Sequence, residues 1–216
     1  MTAITSIKSP IIRYGGKFDL RKWIISHFPK HSTYVEPFGG AAHVLLAKPM
    51  AKCEVYNDLD DTIVNFWRVI RDAESAELLC QMLEMTPYSR SEFLACRNSI
   101  RNLDLSNIER ARIFCVLNKQ SFAAKGRDWG YNTDGHSVKN WLSMPITIRQ
   151  IASRIRGVTI ENKDACSVIK AFDTPSTLHY CDPPYMENVR KKKNCYTHEM
   201  SDAEHVKLLQ TMLGVS

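Results

Sequence analysis

The 216-residue sequence contains no C-x-x-C pair; its seven cysteines stand singly at 53, 80, 96, 115, 166, 181 and 195. Such spacing specifies neither a disulfide scaffold nor a zinc ribbon, and the expected setting is a reduced, cytoplasmic one. His179, Cys181, Cys195 and His198 come nearest to a ligand cluster, but Cys181 sits in an apolar run and the spacing fits no familiar site, so no metal is expected. A charged-then-apolar leader is missing, as is any apolar run of membrane-spanning length, and no membrane partner is expected. The G-x-G-x-x-G fingerprint of dinucleotide folds is also absent, which disfavours NAD.

What remains is 44% apolar content, enough for one sizeable core and a smaller subdomain, and a net charge of +6 that suits a polyanionic partner without requiring one. Four apolar segments read as strands, at 33–37, 52–57, 157–162 and 177–182. The stretch between the second and third is too long for a crossover. Its apolar residues recur at helical spacing, as in Ile63-Val64-Phe66-Trp67-Ile70, and most of these, Phe66 and Trp67 included, are expected in a core. Residues 1–60 and 157–216 thus read as one discontinuous α/β domain and 61–156 as an inserted helical subdomain.

The most informative motif is Asp182-Pro183-Pro184-Tyr185, directly after the strand-like Thr177-Leu178-His179-Tyr180-Cys181. It aims a carboxylate, rigid carbonyls and an aromatic face at one point. Methylation of an exocyclic base amine calls for such a point: Asp182 Oδ and the Pro183 carbonyl can accept both amine protons while Tyr185 stacks on the base. By itself the motif also suits a plain Pro-Pro turn with Tyr185 as a packing residue.

A second motif, Tyr34-Val35-Glu36-Pro37-Phe38-Gly39-Gly40-Ala41-Ala42, leads from a strand through a small-residue turn into a helix from His43 to Lys48. This is the form of a nucleotide site, with glycines that let a ligand approach the backbone. Further on, Asn57-Asp58 ends the second strand where an acid reaches a ribose hydroxyl in nucleotide-binding sheets, which makes Asp58 the ribose candidate; a turn or helix cap, with Asp60 and Asp61 as rival caps, is the other reading. Ahead of the first strand, Pro10-Ile11-Ile12-Arg13-Tyr14-Gly15-Gly16-Lys17 reads equally as a ligand-covering loop or as an ordinary turn.

Taken together in this order, these motifs resemble the adenine-specific DNA methyltransferases of the Dam type, most closely their phage and prophage members, from Ser9 to about Leu213. The resemblance implies a Rossmann-like sheet and transfer of methyl from S-adenosylmethionine to the N6 amine of an adenine flipped out of double-stranded DNA. It implies Tyr14, Lys17, Glu36, Phe38, Gly39, Gly40 and Asp58 around the cofactor, Asp164 near its adenine, and Asp182 between cofactor and target. DNA is expected on the segment from Gln120 to Lys139, read as a long loop of basic, aromatic and glycine residues, with Lys119, Lys125, Arg127 and Lys139 as phosphate candidates. Arg190 and Lys191 open a basic run past Tyr185 that is either a solvated face or a further phosphate contact.

Relatives implied by this resemblance continue past the helix at about Asp202 to Leu213. The chain is therefore expected to be C-terminally truncated, with a sheet of order 3-2-1-4 whose fourth strand has an uncovered edge, which predicts marginal stability, self-association or a missing partner segment. Two other readings stay open on the sequence: an inactive remnant that binds DNA or a protein, and an amino-methyltransferase for cytosine N4 or RNA.

Overall fold

The computed structural model describes residues 7–102, 104–186 and 197–215. Arg190 and Lys191 lie outside the described residues. In chain order the elements are α1 (Arg21–Ser26), β1 (Thr33–Glu36), α2 (His43–Ala47), β2 (Cys53–Asn57), α3 (Asp61–Arg71), α4 (Ala73–Met85), α5 (Arg90–Ser99), α6 (Asn107–Lys119), α7 (His136–Leu142), α8 (Met144–Ile155), β3 (Thr159–Glu161), α9 (Ala165–Ala171), β4 (Thr177–His179) and α10 (Asp202–Leu213). The chain forms two compact units, one of Tyr14–Val64 with the residues from Gly157 onward, the other of Ile7–Arg13 with Asn65–Arg156. Among the described residues no helix is long and apolar enough to cross a membrane.

In the first unit all four strands are parallel, in the order β3-β2-β1-β4, as the strand reading anticipates. Thr33 of β1 stands opposite Cys53 on one side and Thr177 on the other, so the three strands end nearly level. The two central strands carry short, nearly continuous apolar runs, the pattern of a sheet covered on both faces; Tyr34, Val35, Val55 and Tyr56 are wholly buried. Val35 and Val55 pack with Val168 of α9, while Cys166 and Ile169 of α9 meet Leu208 of α10. A lysine also lies in this core: Lys48 bonds Glu54 at 2.5 Å with both side chains almost inaccessible. Glu54 additionally accepts from the Ala51 N–H and Lys48 donates to the Pro49 carbonyl, which offsets the desolvation of the two charges.

The second unit packs helices, as the apolar spacing of its sequence dictates. Phe66 and Trp67 are fully buried, with Phe66 against Phe114 at 5.5 Å between ring centroids. Residues 7–13, read from the sequence as part of the α/β domain, belong to this helical unit. One side-chain amide ties them there: Asn118 Oδ1 accepts from the Ile12 N–H at 2.9 Å and its Nδ2 donates to the Ile12 carbonyl at 2.8 Å.

The segment expected as one long loop is a hairpin followed by a helix. Ser121 and Trp129 pair in antiparallel fashion, the Phe122 N–H donates to Asp128 O and the Gly130 N–H to Gln120 O, both at 2.8 Å. Buried Gln120 anchors the hairpin base, its amide bonding the Pro87 carbonyl and the Ser89 N–H. Lys139, expected on the loop, lies on α7.

Candidate active site

Because β1, β2 and β4 are parallel, their carboxyl ends lie on one edge of the sheet and deliver three different groups there. Such an edge, where β1 is flanked by strands reached in opposite directions, is where ligands bind in open α/β sheets.

From β2 comes Asn57, fully buried, which ties strand ends together: its Nδ2 donates to the Pro37 and Lys163 carbonyls, and its Oδ1 accepts from the Lys163 N–H. Asp58 follows. Its Oδ2 accepts from the Gly40 N–H at 2.9 Å and its Oδ1 from the Asp60 N–H at 2.9 Å, while the next acid, Asp60, caps α3 through the Thr62 N–H. Asp58 is thereby held beside the glycine turn.

From β1 comes that turn, and its two glycines differ in purpose. A Cβ on Gly39 would lie 2.1 Å from the ring of Tyr56, so Gly39 makes room for an aromatic side chain, where the sequence suggested room for a ligand. Gly40 has φ +47° and open space where a side chain would stand. Glu36 points inward and is 3% exposed. Its Oε2 accepts from the Tyr34 hydroxyl at 2.9 Å and from the Leu45 N–H at 3.1 Å, so it satisfies an N-terminal donor of α2 that the N-cap, Ala42, cannot reach.

Burial pushes the Glu36 carboxyl up from 4.5 to about 8, with Asp182 adding to the rise and the bonds from Tyr34 and Leu45 and the charge of Lys48 opposing it. A carboxyl raised on folding contributes stability in full below its unfolded value, and loses it as pH climbs through the folded one. Between about 4.5 and about 8, unfolding releases this proton, so the melting temperature should fall with rising pH across that window. In Glu36→Gln that part of the slope should vanish; parallel calorimetric pH series showing equal slopes would rule out a protonated Glu36.

From β4 the pairing runs one residue further, the Tyr180 N–H donating to Val35 O at 2.8 Å, before the chain reaches Asp182. Lys17 meets Asp182 Oδ2 at 2.6 Å and also donates to the Gly15 carbonyl at 2.7 Å. The Lys17 ammonium stands 5.2 Å from the centroid of the Tyr185 ring, and Tyr185 is 45% exposed. Burial pulls Lys17 down, but its bond to Asp182, aided by Tyr185, outweighs this and holds its pKa above the ordinary lysine value. A cation, a carboxylate and a half-exposed aromatic face thus converge beside a glycine turn and a second acid. The model of the D12 class N6 adenine-specific DNA methyltransferases matches residues 14–216. The chain belongs to this family.

As a member it is a methyltransferase that acts on the N6 amine of adenine in DNA, with S-adenosylmethionine as the family's methyl donor. A search of curated proteins finds no match. The groups gathered at this edge are of a kind that could hold such a cofactor: a cation at Lys17, carboxylates at Asp182 and Asp58, and open space where a side chain would stand at Gly40.

Other sequence candidates lie elsewhere. Tyr14 is exposed, and Phe38 packs on the Cys166, Ile169 and Leu208 cluster. Asp164 caps α9 through the Ser167 N–H and pairs with Lys207 at 3.2 Å. In the helical unit of the methyltransferase Lys125 and Arg127 are exposed on the hairpin, whereas Lys119 is half-buried at the end of α6, where burial lowers its pKa. Two features escaped the sequence reading. Asn57 resembled a turn residue because its partners are distant in sequence, and Phe122, 71% exposed on the hairpin, carried no periodic signal.

Proposed function

We propose that the carboxyl edge of β1, β2 and β4 is the methyl-transfer site, with Asp58, Gly40, Lys17 and Asp182 holding S-adenosylmethionine and Asp182, Pro183, Pro184 and Tyr185 holding the target adenine. The observation that carries this reading is the Lys17–Asp182 pair at 2.6 Å, which fixes the carboxylate at the switch point of the sheet. When bound, S-adenosylmethionine supplies an electrophilic methyl group on a positively charged sulfur. Asp182 Oδ1 and the Pro183 carbonyl accept the two N6 protons of adenine and thereby raise electron density on a nitrogen whose lone pair is otherwise delocalised into the ring. Prolines at 183 and 184 restrict the loop, so these acceptors need little reorganisation as charge develops. The face of Tyr185 stacks on the base, an interaction worth roughly 1–3 kcal/mol.

An adenine in a duplex hides N6 within its pair, so the base must leave the stack before these groups can reach it. The hairpin of the helical unit supplies chemistry for holding the duplex: Lys125 and Arg127 for phosphates, and the exposed ring of Phe122 for a base face. Lys139, on α7, is a further phosphate candidate.

Purified protein incubated with labelled S-adenosylmethionine and unmethylated duplex DNA should place label on adenine N6. Label confined to cytosine or to RNA would replace this reading with another amino-methyltransferase, and DNA binding without label would make the chain an inactive relative.

A further inference from the structure

A cleft of about 620 Å³ lies within the helical unit, between the end of α5 and the hairpin, with Arg97, Arg101, Arg127 and the acid Asp128 in its lining. The two elements are tied together. Arg97 Nη1 donates to the Arg127 carbonyl at 2.7 Å, and the Gly126 N–H donates to Ser121 Oγ at 2.9 Å, which sets the turn that carries Arg127.

Ion pairing in the helical unit is selective. Arg112 is neutralised by Glu92 and Glu109, and Arg149 by Glu77 and Glu84. Among the described residues Arg97, Arg101 and Arg127 form no ion pair, and Asp128 offsets only one of three positive charges. The negative end of the α5 dipole favours a cation in its last turn, which accounts for Arg97. It does not account for a third guanidinium brought alongside from a different element.

We propose that Arg97, Arg101 and Arg127 form a clamp for a phosphate of the DNA backbone. This inference rests on the DNA methyltransferase reading and adds α5 to the DNA-binding surface. Guanidinium groups present paired N–H donors that match phosphate oxygens, and the cleft is lined by one from α5 (Arg97), one just past its C-cap (Arg101) and one from the hairpin (Arg127). Lys125, exposed on the hairpin, precedes the lining residues Gly126 and Arg127 in sequence. Because phosphate contacts carry no base information, the clamp contributes affinity and register but not choice of sequence.

The test is fluorescence anisotropy of a labelled duplex titrated with the full chain over a series of salt concentrations. Every phosphate that the protein ceases to neutralise lowers the slope of log affinity against log salt by about 0.9. Arg97→Ala/Arg101→Ala should flatten the slope by about that amount, and equally on duplexes of unrelated sequence. Arg101→Ala alone leaves the Arg97 bond to the hairpin intact and should also weaken binding. Affinity for S-adenosylmethionine, read by calorimetry, should be unaltered in both.

If affinity and slope match wild type in both variants, the clamp is overturned, and so it is if only the variant lacking Arg97 binds more weakly, since Arg97 then merely braces the hairpin. The methyltransferase reading is judged separately, on wild-type methyl transfer. A chain that transfers methyl while both variants bind like wild type keeps that reading and loses the clamp. One that transfers none but shows the flattened slope keeps the clamp.

Discussion

Asp182→Ala is expected to lower methyl transfer by at least about 10²–10³-fold, the range seen when one preorganised group at a developing charge is removed. The substitution takes away the proposed acceptor for the N6 protons and also the counter-charge of Lys17, 2.6 Å away. Lys17 would keep its bond to the Gly15 carbonyl but lose the larger influence that holds its pKa up. Asp182→Asn keeps an acceptor oxygen of the same reach and removes the charge, so its loss should be smaller. Rates measured at saturating S-adenosylmethionine separate the two roles of the residue: a defect that disappears at saturation would confine Asp182 to cofactor binding. Wild-type transfer by Asp182→Ala under all conditions would remove it from the site altogether.

Gly39→Ala should be the most damaging single methyl group added to the sheet unit. The new Cβ would fall 2.1, 2.4 and 2.8 Å from three ring atoms of Tyr56. That ring cannot swing aside cheaply, being wholly buried with its hydroxyl bonded to the Gly40 carbonyl at 2.9 Å. Overpacking typically costs about 1–3 kcal/mol, and each kcal/mol lowers the melting temperature of a chain of this size by about 2–4 °C. A fall of roughly 2–12 °C is expected, together with weaker S-adenosylmethionine binding because the turn and Asp58 shift with the ring. Combining Gly39→Ala with Tyr56→Leu should recover part of the loss, a coupling that a double-mutant cycle would read directly. Independent, additive effects would mean that the two residues do not compete for the same space. Gly40→Ala is the contrast, since space is open there and only the left-handed backbone, at roughly 1–2 kcal/mol, opposes it.

The pattern of short apolar runs in Thr33–Glu36 and Cys53–Asn57 made the central strands legible, because a buried parallel strand has little choice of composition. The expected sheet order, 3-2-1-4, came with the strand reading and the family resemblance, and the sheet has it. Phe66 and Trp67 could be assigned to a core because helical spacing repeats over many residues. Glu36 shows the limit of that approach. A carboxylate beside a glycine turn looks like a ligand for something, and nothing local tells whether it faces a cofactor or the backbone of Leu45, nine residues on. Ile12 and Asn118 are a second case, a pairing across 106 residues that moves the segment 7–13 into the helical unit. The hairpin at Ser121 and Trp129 was missed because its strands are a single bridge long, too short for alternation to register.

The sequence by itself determined the family of the chain, its parallel sheet and the motifs that bear its chemistry, since each of these is written in adjacent residues whose types are dictated by backbone geometry or by reaction. Only the tertiary structure decided that Lys17 closes on Asp182, that Gly39 yields its space to Tyr56 while Gly40 stays open, and that Arg97, Arg101 and Arg127 share one cleft. These are contacts between side chains remote in sequence, and their partners are selected by packing and charge in three dimensions, which no local pattern encodes.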